Sequence, residues 1–114
     1  MKIVGEFISI SEIKEMTSNF FGDMVKAVVD IDEGLLALDA ELHSDLERLL
    51  LDNGSKQSAL WGINLYPENA GIENFIEFDS LINIRPAQNN RSRYVENEDV
   101  RKQITEIVLK KVRL

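Results

Sequence analysis

"MVKAVVDIDEGLLALDAELH", residues 24–43, is the stretch that decides the fold. Two alternating apolar runs flank Glu33-Gly34, and a glycine supplies the positive φ that a two-residue hairpin turn needs. A turn at those two residues sets Ile31 opposite Leu36, Val29 opposite Leu38, Ala27 opposite Ala40 and Val25 opposite Leu42, an entirely apolar face. The other face then pairs Asp30 with Ala37, Val28 with Asp39 and Lys26 with Glu41. A slip of one residue would mix the two sets, so one face belongs to a core.

Working outward, "SISE" places Ser9 at a helix N-cap with Glu12 three residues on, a capping box followed by an apolar stripe of Ile10, Ile13, Met16 and Phe20. After the hairpin, "SDLE" repeats the signal with Ser44 as the cap, Leu46, Leu49 and Leu50 facing inward and Asn53-Gly54 as the stop. "WGINLYP" reads as a strand with Trp61, Ile63 and Leu65 on one face and Asn64 and Tyr66 on the other. The loop "ENAGIEN" leads to "IEFDSLINIRP", residues 76–86, which reads as its partner strand. That strand sets Ile76, Phe78, Ser80, Ile82 and Ile84 against Glu77, Asp79, Leu81, Asn83 and Arg85. Asn97 caps the last helix, whose buried stripe is Val100, Ile104, Ile107, Val108 and Val112, with acids at its start and bases at its end. "KIVGEF" offers a further edge strand.

The expected fold is α+β in two layers: about four antiparallel strands with three helices packed on one face. With no repeat, linker or low-complexity tract, residues 1–114 form one domain. In this arrangement the second sheet face has no helix left to cover it.

The chain has no cysteine, which removes thiolate nucleophiles and Cys-ligated zinc. Its start lacks the apolar run of a signal peptide and no stretch is long enough to span a bilayer, so a cytoplasmic protein is expected. A formal net charge of −7 disfavours binding to nucleic acid or anionic membranes. The exception is "RPAQNNRSRYV", residues 85–95, with three arginines and no acid.

Candidate ligand-binding residues follow from that island and the polar sheet face: Arg85, Asn90, Arg91, Ser92, Arg93, Asn83 and Tyr66. Two arginines flanking a serine in a turn can hold a phosphate or carboxylate by bidentate hydrogen bonds. A carboxylate-plus-imidazole set, Glu41, His43, Glu77 and Asp79, is the candidate metal centre, and its hard oxygen ligands suit magnesium or manganese. "DNGSKQ" lacks the phosphate-loop spacing, and no G-x-S-x-G elbow occurs.

The segments "AELHSDLERLLLDNGSKQSALWGINLYP" and "IEFDSLINIRPAQNNRSR" carry a resemblance. From Gly22 onward the chain resembles a small uncharacterised prokaryotic family, a stand-alone domain of unknown function. Its motifs are G-E-L-H, W-G-I-N, E-F-D-S-x-I-N-I-R-P and N-R-S-R, and this chain departs at the first, with Ala40 in the glycine position. The resemblance implies no activity, so roles rest on the residues. The leading expectation is a homodimeric module that binds a small anionic ligand or a protein partner through the polar face and the arginine loop. The alternatives are a divalent-metal-dependent phosphoesterase or nuclease, and a toxin–antitoxin component.

Overall fold

The computed structural model describes residues 1–114. In chain order the elements are β1 (Lys2–Ile3), β2 (Ile8–Ser9), α1 (Ile10–Phe20), β3 (Val25–Asp30), β4 (Leu35–Leu38), α2 (His43–Asp52), β5 (Leu60–Leu65), β6 (Ile76–Glu77), α3 (Glu98–Lys111) and β7 (Val112–Arg113). Five strands form one antiparallel sheet in the order β1-β4-β3-β5-β6. Away from it, β2 and β7 pair in parallel, Ile8 with Val112 and Ser9 with Arg113. The fold is α+β, as expected, with β1 as the added edge strand.

The hairpin forms with a register shifted by two residues from the expected one: Ala27 faces Leu38, Val29 faces Leu36 and Asp30 faces Leu35. An even shift keeps every side chain on its own face, which is why the apolar pattern alone does not distinguish the two registers. The buried carboxylate of Asp30 makes the difference. Its Oδ1 accepts the backbone N–H groups of Asp32 and Glu33 at 2.9 and 3.0 Å, Oδ2 accepts the Ser55 hydroxyl at 2.5 Å, and the Gly34 N–H closes on the Asp30 carbonyl. Asp30 thus organises a wider turn, 31–34, ending on Gly34 at φ +70°. At the other end Asp39, with φ +75°, turns the chain out of the sheet, so Lys26 has no partner in Glu41.

Helix positions correct the expected layering. Val25, Ala27, Val29, Leu36, Leu38, Ile63 and Leu65 share a core with Ile13 of α1 and with Ile104 and Val108 of α3. Val28, Ala37 and Leu60, which alternate with those residues along the strands, form a separate core with Leu46 and Leu50 of α2. One helix therefore lies on the face that the sequence reading left bare. The reason is that Val28, Ala37 and Leu60 give this face its own apolar patch, and burying two leucines against it stabilises the fold by roughly 1.5–3 kcal/mol each.

Ser9 and Asn97 cap α1 and α3 as expected, accepting from the Glu12 and Val100 N–H groups at 3.1 Å each. The α2 cap differs. The helix begins one residue before Ser44, Leu42 takes the N-cap position, and no side chain caps the end.

The strand expected over 76–86 is confined to Ile76–Glu77. Beyond it the chain rises over Gly62, bridging Asp79 to Tyr94 and forming a 3-10 turn at Leu81–Asn83. The sheet edge left open is completed by side chains. Asn83 accepts from the Gly62 N–H at 2.8 Å and donates to the Gly62 carbonyl at 2.9 Å, reproducing a strand pairing with its amide. Arg85 donates to the Leu60 and Gln57 carbonyls and stacks on Trp61 with its guanidinium carbon 4.2 Å from the ring centre. Both were candidate ligand contacts, and both are engaged in holding the edge of β5.

Candidate functional site

α2 covers only one end of the second sheet face. At the other end the neighbouring strands present Lys26 from β3, Asn64 from β5 and Glu77 from β6, which are cross-strand partners in the register. Asn64 donates to Glu77 Oε1 at 2.7 Å and the Tyr66 hydroxyl donates to the same oxygen at 3.2 Å. Burial and the Glu77 carboxylate push the Tyr66 phenol above its usual range. Asn64 Oδ1 is buried and has no hydrogen-bond partner.

His43, at the first turn of α2, is only 7% exposed, and its Nε2 lies 2.7 Å from the Ile63 carbonyl oxygen. Burial lowers its pKa, and the Lys26 charge acts in the same direction. The Ile63 carbonyl, the Asn64 side chain and Asp79 act against that shift. Arg93 reaches in from the loop before α3 and grips Asp79, with Nε at 2.6 Å and Nη2 at 3.3 Å.

Two depressions meet at Arg93. The larger, about 830 Å³, is walled by Tyr66, Phe78 and Tyr94, with Glu77, Asp79 and Arg93 on its polar side. Phe78 and Tyr94 pack edge to face at 6.2 Å between ring centres. With two carboxylates against one guanidinium, this groove is a poor host for an anion despite its size. The smaller cleft, about 260 Å³, is lined by Lys26, His43, Ser44, Ser80 and Arg93, with Leu42, Leu81 and Ile82 as its apolar walls. No acid lines it, and the backbone N–H groups at the uncapped start of α2 add positive potential, offset in part by the Asp45 carboxylate in the same first turn.

The arginine loop is organised differently from the expectation. Its anion is supplied by the chain itself: one Glu96 carboxylate oxygen accepts from the Arg91 N–H at 2.8 Å and from the Ser92 N–H and hydroxyl at 2.9 Å each. These bonds hold the Glu96 carboxyl below the usual glutamate range. Asn90 is buried and structural. Its amide donates to the Asn83, Ser92 and Tyr94 carbonyls, and its Oδ1 accepts from the Glu96 N–H. Of the seven candidate ligand contacts, Tyr66, Ser92 and Arg93 line the larger groove, and Arg93 also lines the smaller cleft.

The candidate metal set does not assemble. Glu41 lies exposed beyond the end of β4, Glu77 is bonded to Asn64 and Tyr66, and Asp79 is paired with Arg93. No group of three or more His, Asp or Glu side chains gathers anywhere in the chain in a form that could hold a metal ion. Lys26, Ser44 and Ser80 also line the smaller cleft and are not among the site residues expected from the sequence. Lys26 carried a signal, a lone base between Val25 and Ala27 in an apolar strand, but the two-residue register assigned it to Glu41.

A family model described as "Protein of unknown function (DUF5674)" matches residues 2–111. The chain belongs to this family. The match takes in α1 and the edge strand as well as the region after Gly22, and the family is one of unknown function. No curated protein and no solved structure matches the chain.

Proposed function

We propose that this protein is a binding module for a small anion, received in the cleft between the start of α2 and Arg93. The observation that carries the reading is the charge of that cleft: Lys26 and Arg93 line it and no acid does, in a chain of formal net charge −7. Ser44 adds a hydroxyl, and the first N–H groups of α2 add donors of the kind that hold carboxylates and phosphates at helix N-termini. Arg93 can be recruited at small cost. Its pair with Asp79 is exposed on both sides, and such pairs contribute at most about 1 kcal/mol.

The metal-dependent phosphoesterase reading gains nothing from the placement of Glu41, His43, Glu77 and Asp79, whose side chains are dispersed or already bonded.

The test is a ¹H–¹⁵N NMR titration with sodium acetate and with sodium phosphate at fixed ionic strength. Saturable shifts confined to residues 26, 42–45, 80–82 and 93, abolished in Lys26→Met, support the reading. Shifts that do not saturate, or that Lys26→Met leaves in place, refute it.

A further inference from the structure

We infer that the natural occupant of the cleft is the C-terminal carboxylate of a partner polypeptide ending in an aliphatic residue. This rests on the anion reading and deepens it. Size comes first. At about 260 Å³ the cleft falls below the roughly 300–1,000 Å³ typical of sites that enclose whole small molecules, and suits a single anchoring residue.

Charge narrows the choice. Arg93 is already paired with Asp79, so Lys26 is the one cation of the cleft without a carboxylate partner. A singly charged carboxylate matches it, whereas a phosphate dianion would also have to draw Arg93 away from Asp79. The walls then distinguish a peptide end from a free carboxylate ion. Leu42 and Leu81 stand at the cleft with 52% and 67% of their surfaces exposed, and the Phe21 ring lies 4.9 Å from Lys26 Nζ, so the cation sits within an apolar rim. Exposed aliphatic and aromatic side chains around a charged centre gain from a ligand that carries its own apolar group.

Chain geometry selects the terminus over an internal acid. In an extended segment successive side chains point to opposite sides, so an Asp or Glu and its neighbouring leucine cannot both enter one small cleft. At a C-terminus the carboxylate and the aliphatic side chain hang from the same α-carbon and enter together. Capture of a terminal carboxylate by backbone N–H donors is an established mode of peptide recognition. A second copy meeting this patch about a two-fold axis would bring the unpaired Lys26 of both copies into one interface, which like-charge repulsion opposes.

The experiment compares four probes by NMR titration and fluorescence anisotropy on the full chain. They are a short N-acetylated peptide ending in leucine with a free carboxylate, its C-terminal carboxamide, a carboxamide peptide with an internal Asp-Leu, and acetate. The expected result is binding of the free-carboxylate peptide at least tenfold tighter than either carboxamide and than acetate. Leu81→Ser, at an exposed position, is expected to weaken the free-carboxylate peptide at least fivefold. Equal affinity of the acid and carboxamide peptides, tighter binding of the internal-acid peptide, or no gain of peptide over acetate overturns the inference. Saturable acetate binding without a peptide gain leaves the anion site standing, whereas the absence of any acetate or phosphate binding removes both.

Discussion

Replacing Gly62 by alanine adds a single methyl group at the most crowded point of the sheet. A Cβ built there lies 2.5 Å from Ser80 Cβ, 2.6 Å from Ser80 Oγ and 3.1 Å from Ile82 Cγ1. Carbon atoms pack best at about 3.5–4.0 Å, so the Ser80–Ile82 segment must retreat by about 1 Å. Overpacking of this kind costs about 1–3 kcal/mol. The retreat also stretches the two bonds between Gly62 and the Asn83 amide, each with a net contribution of about 0.5–1.5 kcal/mol. Removing the glycine restricts the unfolded chain and returns about 0.4–1 kcal/mol. The expected loss is therefore about 1–6 kcal/mol, read as a lower midpoint in urea denaturation followed by circular dichroism. Because Ser80 is the nearer obstacle, Ser80→Gly in the Gly62→Ala background is expected to recover part of that loss. A Gly62→Ala protein within about 0.5 kcal/mol of the parent, or a double variant whose losses simply add, would refute the close-approach argument.

Two pH effects follow from the buried histidine and the bonded glutamate. His43 has a lowered pKa in the folded protein, so the unfolded chain binds the proton more readily. Its contribution is fully present above the unfolded value of about 6.5 and is lost as pH falls from there toward the folded value. Urea midpoints measured between pH 7.5 and 5 should decline, and His43→Gln should flatten the decline; an unchanged slope counts against burial of the neutral ring. Glu96 also has a lowered pKa, but as an acid: its contribution is present above the unfolded value of about 4.3 and is lost as pH falls through the folded one. Glu96→Gln should reduce the acid sensitivity of the 91–96 amide signals in NMR, and retention of the parent profile would show that these bonds do not order the loop.

What the sequence makes legible here is periodicity and local hydrogen bonding. Ser9 and Asn97 announce their helices because a cap requires only a side chain and a backbone N–H three residues on, and the hairpin faces are plain because alternation is a local property. The register is not, since it depends on Asp30 reaching Ser55, a residue beyond α2. Nor is the α2 position, which answers to Val28, Ala37 and Leu60 in three different strands. The segment 76–86 misleads for a related reason. It alternates like a strand, yet Asn83 and Arg85 are there to finish the edge of β5 with side chains. The arginine loop does form an anion cradle, and no spacing rule shows that Glu96 fills it. The cleft is assembled from β3, the start of α2, the Leu81–Asn83 turn and the loop before α3, so only Arg93 and His43 among its polar residues stood out beforehand.

The parallel contact of Ile8–Ser9 with Val112–Arg113, reinforced by Lys111 Nζ donating to the Gly5 carbonyl at 2.7 Å, has a consequence for biosynthesis. As the chain leaves the ribosome, Ile8 and Ser9 must wait for about a hundred further residues to be translated before this clasp can close. Until then Ile8 and the adjoining edge have no partner, and the nascent chain is at its most vulnerable to misassociation.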